Sequence, residues 1–78
     1  MKYLTGEEVH VGDKVRIDSS CVGVVVCSVD ADEYSAKHPK EQWSYLKVGV
    51  MIDTDCAGLM HYAEPDEDLI LLQPNSDL

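Results

Sequence analysis

"GDKVRIDSSCVGVVVCSVD", residues 12–30, decides the fold of this 78-residue chain. In its first part, Val15 and Ile17 alternate with Lys14, Arg16 and Asp18. A period of two is that of a half-buried strand, whose successive side chains point to opposite faces. "VGD" at 11–13 is the turn that launches it. "SSCVG" at 19–23 turns the chain back, and residues 22–29 are β-branched and almost continuously apolar. Val22, Val24 and Val26 share one face of that second strand; Val25, Cys27 and Val29 share the other. Such a strand is expected to be covered on both sides, or to bend so that its halves serve two sheets, with Gly23 easing the bend.

The rest of the chain continues in short strands. Residues 1–12 read as a lead-in, with Tyr3, Leu4 and Val9 packing across the barrel mouth. Residues 30–45 are polar and too long for a tight hairpin. Within them "HPKEQWSYL" predicts a short helix with Pro39 at its first position, Glu41 in its first turn, and Trp43 and Leu46 on one side. "LKVGVMIDT" at 46–54 is the third strand, with Val48, Val50 and Ile52 inward. "DTDCAG" is a turn with Gly58 at a positive φ. "LMHYA" is the fourth strand, "EPDED" an acidic 3₁₀-like turn, "LILLQ" the fifth strand, and "PNSDL" at 74–78 a frayed tail. Met51 and Met60 are expected to fill gaps in the core. The expectation is one mainly all-β domain over residues 1–78. It is a five-stranded antiparallel barrel with a long loop or short helix between strands 2 and 3.

Composition narrows the function. Six Lys and Arg face fifteen Asp and Glu, for a formal net charge of −9. Affinity for a phosphate backbone comes from cations displacing counterions, so this balance argues against nucleic acid. It suits a basic protein partner, whose encounter opposite charge speeds. No apolar run approaches the roughly 20 residues of a membrane helix, and "MKYLTGEEVHVGD" lacks the apolar middle of a signal peptide, so a cytoplasmic location is expected. Three cysteines, Cys21, Cys27 and Cys56, cannot form a closed disulfide framework, and free thiols are the expected state.

At both ends the pattern resembles a family. "GDKVRIDSSCVGVVV" is similar to the opening of Src-homology-3-like (SH3-like) barrels, including the KOW type of ribosomal and transcription proteins. "GLMHYAEPDEDLILL" resembles their close, a strand, a 3₁₀ turn and a short last strand. The resemblance implies a small barrel and, through the KOW type, RNA binding. In size, charge and fold the chain also resembles small acidic bacterial immunity proteins, which inhibit a toxin made by the same operon. That likeness implies a protein partner and transfers no residues.

Catalytic and metal chemistry find little footing. Cys21, Cys27, Cys56 and His61 form a common zinc complement, yet Cys21 and Cys27 stand about 20 Å apart on an extended strand. Zinc thiolates lie only about 2.3 Å from one metal, so no metal site is expected. A Cys56–His61 nucleophile pair would sit beside Asp53 and Asp55, whose charge raises a thiol pKa, so the chain is not expected to be an enzyme. "DAD" at 30–32 and "DTD" at 53–55 lack the length and terminal Glu of a calcium loop. His10, His38 and His61 fall in three different elements and read as surface histidines. Lys14, Arg16, Lys37 and Lys40 are too scattered for a nucleic-acid patch. No cofactor is implied.

What remains is a protein-binding surface. Asp30, Asp32 and Glu33 form one acidic cluster, Asp53 and Asp55 a second, and Glu64, Asp66, Glu67 and Asp68 a third. Tyr34, Trp43 and Tyr45 interleave with the first. Aromatic anchors within a charged rim are the usual anatomy of an interface, although Trp43 also suits a core. The expected partner-binding set is Asp30, Asp32, Glu33, Tyr34, Trp43, Tyr45, Glu64, Asp66 and Glu67. The reading is a non-enzymatic, immunity-type inhibitor of a basic partner, with a KOW-like domain binding RNA or a ribonucleoprotein as the alternative. A homodimer through an exposed barrel edge is also open.

Overall fold

The long second strand forms as expected, as β2 (Val22–Ser28), and everything else is built on it. A computed structural model describes residues 1–18, 20–35, 39–64 and 66–74 of the chain. The expectations for Lys37, His38, Pro65 and residues 75–78 lie outside the described residues. β1 (Lys14–Arg16) pairs with the first half of β2, Lys14 opposite Val24 and Arg16 opposite Val22. The two-residue β3 (Glu33–Tyr34) pairs with its far end, at Cys27 and Ser28. β4 (Val50–Thr54) runs along the other edge of β2, and β5 (Gly58–Tyr62) pairs with β4. β6 (Ile70–Gln73) returns beside β1. All pairings are antiparallel, in the order β5-β4-β2-β1-β6.

The fold is therefore mainly β, in one sheet of six strands against the five expected. No pairing joins β5 to β6 among the described residues, so the sheet is open. Both edges nonetheless pack on one core. Val9, Val15, Ile17, Cys21, Val25, Val50 and Ile52 form its centre, with Tyr3 and Leu69. Met60 and Tyr62 reach it from β5, and Leu71 from β6. Alternation in β1 puts Val15 inside and leaves Lys14 and Arg16 outside.

Several positions differ from the expected pattern. The two halves of β2 differ: in the first, Val25 is buried while Val22 and Val24 are exposed, and in the second the successive residues Cys27 and Ser28 are both buried, so only that end is covered on both faces. The irregularity in β2 sits between Val25 and Cys27, where the register with β4 shifts, and not at Gly23. An extra residue on one strand bends it there. Val48 precedes β4 and is exposed, as is Leu4 in the lead-in. The expected helix is a single turn, α1 (Lys40–Trp43), followed by a 3₁₀ turn at Ser44–Leu46. Pro39 stands just before it and not inside it, and its carbonyl accepts from the Gln42 and Trp43 amides.

The cysteines also depart from expectation. Cys21 and Cys56 are joined in a disulfide, with Cα atoms 5.7 Å apart. Cys21 ends the β1–β2 turn and Cys56 lies in the β4–β5 turn, which the Gly23–Thr54 pairing sets side by side. An odd count forbids a fully paired set but not one pair. Only Cys27 is a free thiol, and it is fully buried. Linking residues 35 apart restricts the unfolded chain and stabilises the fold by about 4 kcal/mol.

Two glycines with positive φ separate backbone strain from crowding. At Gly49 (φ 91°) an added Cβ would strike the Tyr62 carbonyl oxygen; at Gly58 (φ 71°) it would meet open space. Gly49→Ala should cost at least about 3 kcal/mol and Gly58→Ala about 1–2 kcal/mol, read as shifts of the urea midpoint. Equal costs would mean that the β5 backbone does not hold Gly49 as described. A thiol reagent should find no reactive sulfhydryl in the native, unreduced protein, because burial also raises the Cys27 thiol pKa. One equivalent should react on unfolding, and three after reduction.

Candidate interaction surface

The segment between β2 and β4 carries most of the expected site, and its placement begins with a buried acid. Asp13 is 1% exposed. Its Oδ2 accepts from the Tyr3 hydroxyl at 2.8 Å and from the His10 amide at 2.9 Å. Burial and the Asp13 carboxylate together push the Tyr3 phenol pKa far up. The Gly12 amide donates to the Val25 carbonyl, and the Val25 amide to the Asp13 carbonyl. The lead-in, the turn and β2 are thereby locked together.

That lock presents His10 and Val11 to Glu33. The Glu33 carboxylate lies 3.1 Å from His10 Nδ1 and accepts from the Val11 amide at 3.1 Å. Asp30 pairs with the Met1 amino group at 3.1 Å. Asp32, at a φ of 55°, pairs with Lys40 at 3.1 Å and holds that ammonium above its ordinary range. The first acidic cluster is thus anchored in the fold. Glu33 is a structural carboxylate more than a contact residue.

Aromatics stand around it. Tyr34 is half-buried on β3, its phenol pKa raised by burial and then by Cys27 and Asp32. Trp43 is also half-buried, between the core and interface roles expected of it. It stacks against Tyr45 with ring centroids 6.4 Å apart, and Tyr45 is 69% exposed. The stacking with Trp43 thus holds a large aromatic ring in the open.

The structure does not bring all nine expected residues together. Ser28, Val50 and Tyr62 lie at one end of the sheet; Val22, Arg16 and Ile70 lie at the other. Asp30, Asp32, Glu33 and Tyr34 follow the first end, and Glu64 leaves β5 there. The chain then crosses to β6. Asp66 and Glu67 form an exposed turn leading to Ile70, in which the Leu69 amide donates to the Asp66 carbonyl and the Asp68 amide to Asp66 Oδ1. Asp53 and Asp55 also approach this second end, where Asp55 Oδ1 accepts from the Val22 amide.

Sequence reasoning missed two features. One is the disulfide, legible only once the β1–β2 and β4–β5 turns are known to be neighbours. Cys21, Cys56 and Asp55 form a group of three potential metal ligands, but the two sulfurs are bonded to each other. The other is an apolar groove of about 420 Å³ on the outer face, lined by Lys14, Val22, Val24, Asp53, Asp55 and Leu72 among others. Its signal was present in the unbroken valines of β2. His61 is exposed and contacts the Val48 carbonyl at 2.8 Å.

No family model, curated protein or solved structure matches this chain. Among the described residues no helix is long and apolar enough to cross a membrane.

The Tyr3–Asp13 contact gives the fold a pH limit. A free tyrosine ionises near pH 10, whereas Tyr3 in the folded state does so only at higher pH. Its contribution is complete below about pH 10 and is lost as pH rises toward the folded-state value. Stability should therefore fall with pH above about 10 in the native sequence, and more shallowly in Tyr3→Phe. At neutral pH the same substitution should cost about 1.5–3 kcal/mol, because a buried carboxylate loses a donor. Parallel alkaline slopes for both proteins would contradict this account.

Proposed function

We propose that the protein is a non-enzymatic binding module that neutralises a basic protein partner by charge and shape complementarity, in the manner of an immunity protein acting on a toxin. The observation that carries this reading is Tyr45. It is a large aromatic left 69% exposed yet held in place by Trp43, at the sheet end that bears the acidic Asp30–Glu33 segment. An anchor already fixed in the free protein loses little entropy on binding. Tyr34 and Asp32 interact with each other in the segment before it, and the overall charge of −9 draws a basic partner in.

An SH3-like barrel is the architecture that goes with this reading, although β5 and β6 do not pair among the described residues. Both edge strands pack on one core, and the last strand returns beside the first. The alternative, a KOW-like RNA-binding domain, has weaker support. Lys40 is already paired with Asp32, and β2 separates the β1 cations from Asp53 and Asp55 by a single strand. A bacterial cytoplasm suits an immunity protein, whereas the Cys21–Cys56 bond favours an oxidising compartment. The redox state of that pair in cells decides between them.

The test is capture of the product of the adjacent gene by the tagged protein at low salt. Tyr45→Ala should weaken that complex at least about tenfold while leaving the circular dichroism spectrum unchanged. Asp32→Lys should chiefly slow association. No association at low salt, or full affinity in Tyr45→Ala, would overturn the proposal.

A further inference from the structure

The outer face of the sheet carries a pattern that the proposed toxin-binding end does not use. Val22 and Val24 are exposed on β2, at 43% and 38%, and Leu72 on β6 at 52%. They floor the apolar groove. A strand that keeps valines on its solvent face departs from the usual polar-out alternation of a one-sided sheet.

The charges beside these valines are ordered. In one row across the sheet, Lys14 pairs with Val24 and Val24 with Asp53. In the next, Arg16 pairs with Val22, and the Asp55 amide donates to the Val22 carbonyl at 3.0 Å. Each row reads cation, valine, anion. Two of the six Lys and Arg in the chain stand here, so the groove itself carries both signs of charge, with Asp18 and Asp68 beside Arg16 at its edge.

Consider two copies placed face to face. A two-fold axis running along β2 keeps each row at its own height and exchanges left for right. Lys14 of one copy then meets Asp53 of the other, Arg16 meets Asp55, and the valines meet each other. A two-fold axis across the strands would instead set β1 on β1 and cation on cation. Only the first arrangement is self-complementary, as an isologous interface requires. It is also the aligned mode of sheet packing, with the faces about 10 Å apart. Screening at physiological salt limits the general repulsion of two acidic molecules to about 8 Å, so contacts across the interface decide the outcome.

We propose that the β1–β2–β4 outer face is the contact of a symmetric homodimer, with the two-fold axis parallel to β2. The occupant of the groove is a second copy of this chain, seated through Val22, Val24 and Leu72 and oriented by the Lys14–Asp53 and Arg16–Asp55 pairs. The Tyr45 end stays free, so the dimer would present two such ends.

Sedimentation equilibrium of the full chain across the micromolar range, at physiological salt, tests this. The expected mass is twice the 8.7 kDa of the monomer. Lys14→Glu and Asp53→Lys should each weaken the dimer at least about tenfold, since each places like charges in contact twice. Combining them reverses both partners of the pair and should restore dimerisation, which generic damage to the surface would not do. Val24→Glu should give a monomer. Thermal unfolding of each variant, compared at a concentration where all are monomeric, separates loss of contact from loss of fold. A native protein that remains monomeric throughout would overturn the proposal and leave the groove to another partner. So would a dimer indifferent to all these changes, which must use another face, or a double variant no better than the singles.

Discussion

A carboxylate as deeply buried as that of Asp13 costs several kcal/mol unless donors surround it. That requirement organises the molecule. The Tyr3 hydroxyl and the His10 amide are two of its partners, so detaching the lead-in would strip both donors from a buried carboxylate. Once the lead-in is seated, Tyr3 and Val9 complete the core, and Val11 offers its amide to Glu33. The start of the chain thereby fixes the loop that follows β2.

β2 is the other organising element. It alone is flanked by three strands, β1 and β3 in succession and β4 along its far edge. The loops consequently gather at two ends with different character. At one end the acidic residues are tied down by the Met1 amino group, Lys40 and His10, and the exposed Tyr45 follows Lys40 by five residues. At the other, the disulfide binds two turns and the acidic groups face solvent. Negative charge is spread over both ends, but only one combines it with a rigid aromatic.

The strands were legible in the sequence because apolar periodicity marks burial, although β4 also buries Met51 between Val50 and Ile52. Val15, Val25, Val50 and Ile52 are core residues, as alternation implies. What escaped was whatever depends on contacts distant in sequence. β3 is too short to have a period. The Cys21–Cys56 pair depends on two turns meeting through β2 and β4. Val22 and Val24 look like core residues by composition, yet among the described residues no element covers them. The nine expected site residues divide for the same reason: composition shows acidic clusters but not the end of the sheet on which each falls. Glu33 shows the limit most clearly, since a carboxylate in an acidic loop reads as available until its partners, His10 and Val11, are located.

The position of the disulfide has a consequence for proteolysis. Cys21 and Cys56 bracket the whole stretch that contains β2, β3, the helical turns and β4. Exposed sites such as Lys47 and Val48 fall inside that bracket. A protease cutting there would sever the backbone without releasing either piece. The nicked molecule would keep its mass until reduced, and its two segments would stay tethered side by side. For this chain, a single cut at Lys47 or Val48 is not by itself a route to degradation.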